Sequence, residues 1–170
     1  MRNFKAFTLI ELIVVICLCT LLAGIAVLNV SFLDATIVRM ELNKLMTACL
    51  YMQQLAIATN EEKYLVFDEH TNEYRFDVYH EKLSKRVRFG VMNGIKGPPG
   101  NPIGSIEKAI TFPLNRICFY PTGIISSGTV YLIDIKKQTF YALSNAVSQV
   151  SYLRMYRYDG TWKLYGDDKK

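Results

Sequence analysis

The chain has 170 residues, is 51% hydrophobic, 21% charged and 12% aromatic, and carries a formal charge of +5. That length suits a single ordinary domain. The composition excludes a disordered, a collagen-like or a disulfide-framework chain, and so small a charge excess does not by itself demand nucleic acid.

The first predicted element is apolar. MRNFKA carries Arg2 and Lys5 and no acid, and the 22 residues from Leu12 to Leu33 carry no charge. As a helix such a run spans roughly 33 Å, against about 30 Å of bilayer hydrocarbon. It has no polar stripe, unlike an amphipathic surface helix; a buried core helix is the alternative. Arg2 and Lys5 place the N-terminus in the cytoplasm and everything after Asp34 outside, so the chain is expected to cross the membrane once. The run exceeds the apolar stretch of a secretory signal, and no clear small-x-small cleavage site follows, so it is expected to stay on the mature chain.

Glu11 interrupts this pattern just inside the apolar run. An ionised carboxylate near hydrocarbon costs a few kcal/mol, so it needs a named partner; snorkelling to the headgroups is the alternative. No catalytic role is assigned to it.

Past Asp34 the period changes. Val38, Leu42, Leu45, Cys49, Met52 and Ala56 recur at three and four residues, a one-sided stripe. The helix is therefore expected to run on to Thr59 or Asn60, with Asn60 as a stop. The rest reads as β. Lys63–Asp68 and Glu73–Tyr79 flank a polar turn and predict a hairpin. Further strands are expected over Val87–Met92, Ile110–Phe112, Ile117–Tyr120, Thr129–Ile135, Thr139–Leu143, Val150–Tyr158 and Thr161–Tyr165, the last pairing back across Asp159-Gly160. Residues 93–105, NGIKGPPGNPIGS, concentrate Gly and Pro and predict a loop. Strands so short and close favour antiparallel pairing. The expected fold class is α+β: a long N-terminal helix, transmembrane in its first half, laid on an antiparallel sheet.

The segment AFTLIELIVVI resembles the prepilin-type cleavage and methylation signal of type IV pilins and type II secretion pseudopilins. The resemblance implies removal of a leader, residues 1–6, by a cut between Ala6 and Phe7, methylation of the new amine on Phe7, and retention of Glu11 as fifth mature residue. In such filaments the acid of one subunit meets the N-terminal amine of a neighbour. Two departures stand out: Ala6 occupies a position that is usually Gly, and Leu28 one that is often Pro, so no proline kink is expected. Farther on, Cys118-Phe-Tyr-Pro-Thr-Gly-Ile-Ile-Ser-Ser-Gly-Thr-Val-Tyr-Leu132, with Gly160 and Trp162 later, is similar to the GspH/FimT family of minor pseudopilins and minor pilins. Gly123 and Gly128 are read as positive-φ positions of a strand connection.

The resemblance divides the chain into leader 1–6, transmembrane and assembly helix 7–33, amphipathic continuation 34–60 and β-rich head 61–170. It implies a subunit assembled into a type II secretion pseudopilus for protein secretion. The implied partners are a prepilin peptidase/N-methyltransferase, other pilin-like subunits and an inner-membrane assembly platform. The alternative is a minor type IV pilin for DNA uptake or adhesion.

Other constellations carry less. Cys17 and Cys19 are two apart and face different sides of a helix. Cys49 and Cys118 read as buried small hydrophobes, with a disulfide between them open outside the cytoplasm. His70 and His80 read as surface residues among acids. No zinc-ligand spacing, G-x-S-x-G, HExxH, phosphate loop or dinucleotide fingerprint occurs, so neither an enzyme, a metal nor a cofactor is expected. In Ser151–Tyr158, alternation puts Tyr152, Arg154, Tyr156 and Tyr158 on one face and Leu153 and Met155 on the other. Arg154, Arg157 and Lys163 are candidate DNA contacts, since arginine among aromatics suits a stacking surface. Against that, residues from 61 onward hold 16 Lys/Arg and 12 Asp/Glu, which favours an ordinary solvated face.

Overall fold

The computed structural model describes residues 8–28, 30–97, 104–145 and 152–165. The chain divides into two units, Met1–Leu33 and Asp34–Lys170.

In the first unit α1 covers Leu9–Leu28. The described side chains of residues 8–22 and 24 are all exposed. Leu, Ile and Val therefore face outward all round, a surface that needs an apolar environment or a partner. Among the described residues no helix is long and apolar enough to cross a membrane. The side chains of residues 23 and 25–33, which belong to the expected span, lie outside the described ones. Cys17 and Cys19 are exposed on α1.

The second helix, α2, covers Val30–Thr59. Its expected stripe is fully buried: Val38, Leu42, Leu45, Cys49, Met52 and Ala56 are at most 1% exposed. Asn60 ends it in the left-handed region (φ 54°), and the Glu61 N–H closes back on the Ala56 carbonyl at 3.2 Å. Such a reversal satisfies an orphan carbonyl, and Asn tolerates it.

Nine strands are described, in two antiparallel sheets where one was expected. The first sheet has β1 (Lys63–Asp68), β2 (Glu73–Phe76), β3 (Tyr79–Lys82) and β5 (Arg116–Phe119), in the order β3-β2-β1-β5. The second has β4 (Val87–Phe89), β6 (Gly128–Asp134), β7 (Phe140–Asn145), β8 (Arg154–Asp159) and β9 (Thr161–Leu164), in the order β4-β6-β7-β8-β9. Both sheets and the α2 stripe share one core. Leu65, Phe67, Ile117 and Phe119 enter it from the first sheet, and Val87, Val130, Leu132 and Leu143 from the second. A separate cluster of Ile95, Tyr131, Ile133, Phe140, Ala142 and Tyr156 covers the other face of the second sheet. Strand β7 is buried at all six residues, which is why it reads as a continuous run rather than an alternation.

Two expectations are corrected. Glu73–Tyr79 is not one strand: Asp77, left-handed at φ 48°, turns the chain so that β3 pairs back on β2. Ile110–Phe112 is not a strand either. Ile110 makes a single bridge to Val130, and the chain then enters a short 3-10 turn at Pro113–Asn115, because proline has no N–H for a ladder. Gly128, the first residue of β6, has the positive φ expected of it (159°), and a Cβ there would lie 2.9 Å from the Cα of Phe112. Gly123 takes the left-handed conformation (φ 80°), closing a turn through its N–H to the Tyr120 carbonyl at 2.8 Å. Residues 98–103 of the expected loop and 150–151 of an expected strand lie outside the described residues.

An ion cluster ties α2 to the second sheet. The buried Asp34 carboxylate lies 2.8 Å from Lys136 Nζ in the β6–β7 turn and 3.2 Å from Arg86 Nη1 before β4. The hydrogen bond from Lys136, aided by Arg86 and opposed by burial, holds the Asp34 carboxyl below the ordinary carboxylate range. A carboxyl lowered on folding contributes stability that is complete above its unfolded pKa and lost as pH falls through the folded one. Asp34→Asn is therefore expected to remove part of the acid sensitivity of unfolding below the ordinary Asp range. Urea titrations of both chains across that range check it; an unchanged pH slope would refute this role.

Candidate assembly site

The sequence nominates a site at the start of α1. Ala6 and Phe7, the expected cut and methylation positions, lie outside the described residues. Glu11 lies within them and has local partners. Its Oε2 accepts the Thr8 N–H at 3.1 Å and the Thr8 hydroxyl at 3.2 Å, while Thr8 Oγ1 accepts the Glu11 N–H at 3.3 Å. Thr8 is thus the N-cap of α1, and Glu11, three residues on, completes a reciprocal capping box.

This arrangement answers part of the question raised by an acid in an apolar run. Two N–H groups at the helix start are satisfied by side chains. The positive end of the helix dipole also favours a carboxylate at this turn. Both hydrogen bonds fall on Oε2, so among the described residues Oε1 has no partner. A carboxylate preorganised on one oxygen and open on the other can take a cation from outside. The signal for Thr8 was present in the sequence, as Thr-x-x-Glu before an apolar run, but the pilin-like reading did not use it. Thr8→Ala is expected to fray the first turn by about 1 kcal/mol. Faster amide exchange at residues 9–11 in detergent checks this; unchanged exchange would mean the box does not hold the turn.

The other nominated residues are dispersed. Arg157 pairs in register with Lys163, and both lie on the same face as Met155. Lys163 is bonded to Asp159 at 3.2 Å. Arg154 lies on the opposite face, its guanidinium 4.8 Å from the centre of the Tyr152 ring. The aromatic face expected around it is only partly solvated: Tyr152 is exposed, but Tyr156 is buried in the outer cluster, and Trp162 donates to the Lys96 carbonyl at 2.7 Å. The structure therefore does not bring Arg154, Arg157 and Lys163 into one patch.

All four cysteines are free, so Cys49 and Cys118 form no disulfide. Strand alternation explains this: Ile117 and Phe119 point into the core, which turns Cys118 away from the buried Cys49. Burial pushes the Cys49 thiol far up, which makes it unreactive. His80 pairs with Glu73 at 2.8 Å on the exposed side of β3.

Residues 1–27 match a family model described as the prokaryotic N-terminal methylation motif. Searches of curated proteins and of solved structures found no match. The N-terminal segment, with Glu11 held in the first turn of its helix, is a type IV pilin-like prepilin signal.

Proposed function

We propose that the chain is a membrane-anchored pseudopilin subunit, processed by a prepilin peptidase and assembled into a type II secretion pseudopilus. The methylation motif over residues 1–27 carries this reading. The peptidase removes residues 1–6 by cutting between Ala6 and Phe7, and the same enzyme methylates Phe7. Residues 7–33 hold the precursor in the inner membrane, N-terminus in the cytoplasm, with 61–170 as an extracytoplasmic head on the amphipathic continuation 34–60. Filament growth on an inner-membrane assembly platform then pushes exported protein outward. The similarity of Cys118–Leu132 to the GspH/FimT pattern supports a minor subunit of this kind.

The mechanism follows from the capped acid. Cleavage frees a cationic amine four residues before Glu11. An ionised carboxylate and an ammonium that meet in a low-dielectric bundle relieve each other's desolvation cost. Glu11, preorganised by Thr8, thus registers an incoming subunit against the Phe7 amine of its neighbour. This is docking work and needs no catalytic residue, metal or cofactor. DNA uptake is the rival reading; Arg154, Arg157 and Lys163 would have to act from two faces of β8 and β9, which weighs against it. Binding of single-stranded DNA by the full chain, steep in salt and lost in an Arg154→Ala/Arg157→Ala variant, would reverse that judgement. Co-purification with secretion-filament subunits, absent when Glu11 is replaced, is the expected result.

A further inference from the structure

Two features of the head lie at opposite edges of the first sheet. At the β3 edge a groove of about 690 Å³ opens between α2 and the strands β2 and β3. Its walls are aromatic: Tyr51 meets Phe76 and Tyr79 edge-on, and Phe76 stacks between Tyr74 and Tyr79. The rim is acidic. Lys44 is taken by Glu41 at 3.2 Å, whereas Glu81 has no ion-pair partner among the described residues. In the β2–β3 turn the Asp77 carboxylate accepts the Tyr51 hydroxyl at 3.2 Å and has no ion-pair partner among the described residues. All four residues of β3 are exposed.

At the other edge, just before β5, Leu114 is 81% exposed, one of the most exposed large apolar side chains described. It sits in left-handed backbone (φ 56°), followed by Asn115 in the same region (φ 51°). Two successive non-glycine residues there are uncommon and persist only where the surroundings hold them. The turn is held by the Asn115 N–H on the Phe112 carbonyl and the Arg116 N–H on the Pro113 carbonyl. Its effect is to project an apolar side chain into solvent next to a cation, Arg116, which rests 4.5 Å from the centre of the Tyr64 ring.

We infer that Leu114 and Arg116 of one copy dock on the β2–β3 groove of a second copy of this chain, Leu114 among the aromatic rings and Arg116 toward Glu81 and Asp77. The chemistry is complementary: an apolar knob beside a cation meets an aromatic groove that carries Glu81 on its lining and Asp77 on the Tyr51 hydroxyl. Arginine near aromatic rings and an acid gains both cation–π and ionic contact. Knob and groove are different surfaces at opposite edges of one sheet, so the contact is heterologous and leaves a free knob and a free groove at the ends. Such contacts propagate into rings or open filaments rather than closed dimers. The inference deepens the filament reading and rests on it for its setting.

The test uses the full chain in membranes, expressed with a photo-crosslinking benzoylphenylalanine in place of Leu114, from mixed light and heavy isotope cultures. The expected product is a light–heavy crosslink from position 114 to the peptide carrying residues 40–51 or 73–81. Glu81→Lys should lower its yield at least fivefold, and Glu81→Lys with Arg116→Glu should restore it. The same crosslinker at Tyr79 should reach residues 113–116, which guards against a defect peculiar to position 114. Crosslinks confined to one copy, crosslinks only to a different protein, or no restoration by the charge swap would overturn the contact. Intact mass on the same membranes separates the two claims. A removed leader without the crosslink sinks the contact alone, whereas a retained leader with it sinks the filament reading alone.

Discussion

Glu11→Gln is expected to leave the chain inserted and cleaved but to strip it from filaments. The capping box separates the two roles of this residue. Glutamine at the third helical position still reaches back to the Thr8 N–H, so the first turn survives. Only the charge is lost. Removing one partner of a buried ion pair costs about 3–5 kcal/mol, and about 1.4 kcal/mol is tenfold in an equilibrium. Incorporation should therefore fall by roughly a hundredfold or more. Thr8→Ala makes the reverse separation: it loses the cap and keeps the charge, and should reduce incorporation far less. The ratio of filament-bound to membrane-bound subunit in wild type and the two variants checks both. If the Glu11→Gln variant enters filaments as well as wild type, the carboxylate does not register subunits.

The largest effect on the head is expected from Gly128→Val. A Cβ at Gly128 would sit 2.5 Å from Cγ and Cδ1 of Phe112 and 2.9 Å from its Cα. The ring could rotate away, but the backbone contact cannot be relieved by a rotamer change. Residue 111 is pinned to the start of β6: Thr129 donates its N–H to Thr111 Oγ1 at 2.7 Å, and Thr111 donates its own to the Thr129 carbonyl at 2.9 Å. Overpacking of a held core costs about 1–3 kcal/mol, and the two further methyl groups of valine against backbone place this substitution at the upper end, about 3 kcal/mol. Urea unfolding of the detergent-solubilised chain measures this. A loss below about 0.5 kcal/mol would mean that residues 110–113 are free to move.

What the sequence made legible was the periodicity. The α2 stripe from Val38 to Ala56 showed because one side of that helix meets both sheets, and burial on one side leaves a mark at 3.6 residues. Strands β1 and β9 showed because turn residues bound them. The division into two sheets was hidden, since alternation reports which residues face inward but not which strand lies beside which. The outer cluster was hidden for a related reason. Tyr156 and Tyr158 alternate as a solvated aromatic face would, and only the packing of Ile95 and Trp162 on them shows that part of the face is covered. At the assembly site Glu11 stood out as an acid among apolar residues, whereas Thr8 is marked only by the short Thr-x-x-Glu spacing, which the fold turns into a reciprocal pair of hydrogen bonds. Leu114 gave no sign, because left-handed backbone at a leucine follows from its neighbours' contacts rather than from its own preference.

Intact mass of the chain extracted from its native membrane tests the central claim most directly. The account predicts a mature chain beginning at Phe7, short of residues 1–6 and heavier by one methyl group, with the full precursor accumulating when the peptidase is absent. A chain that keeps Met1–Ala6 in the presence of the peptidase would contradict it, because Glu11 would then have no freed amine to meet.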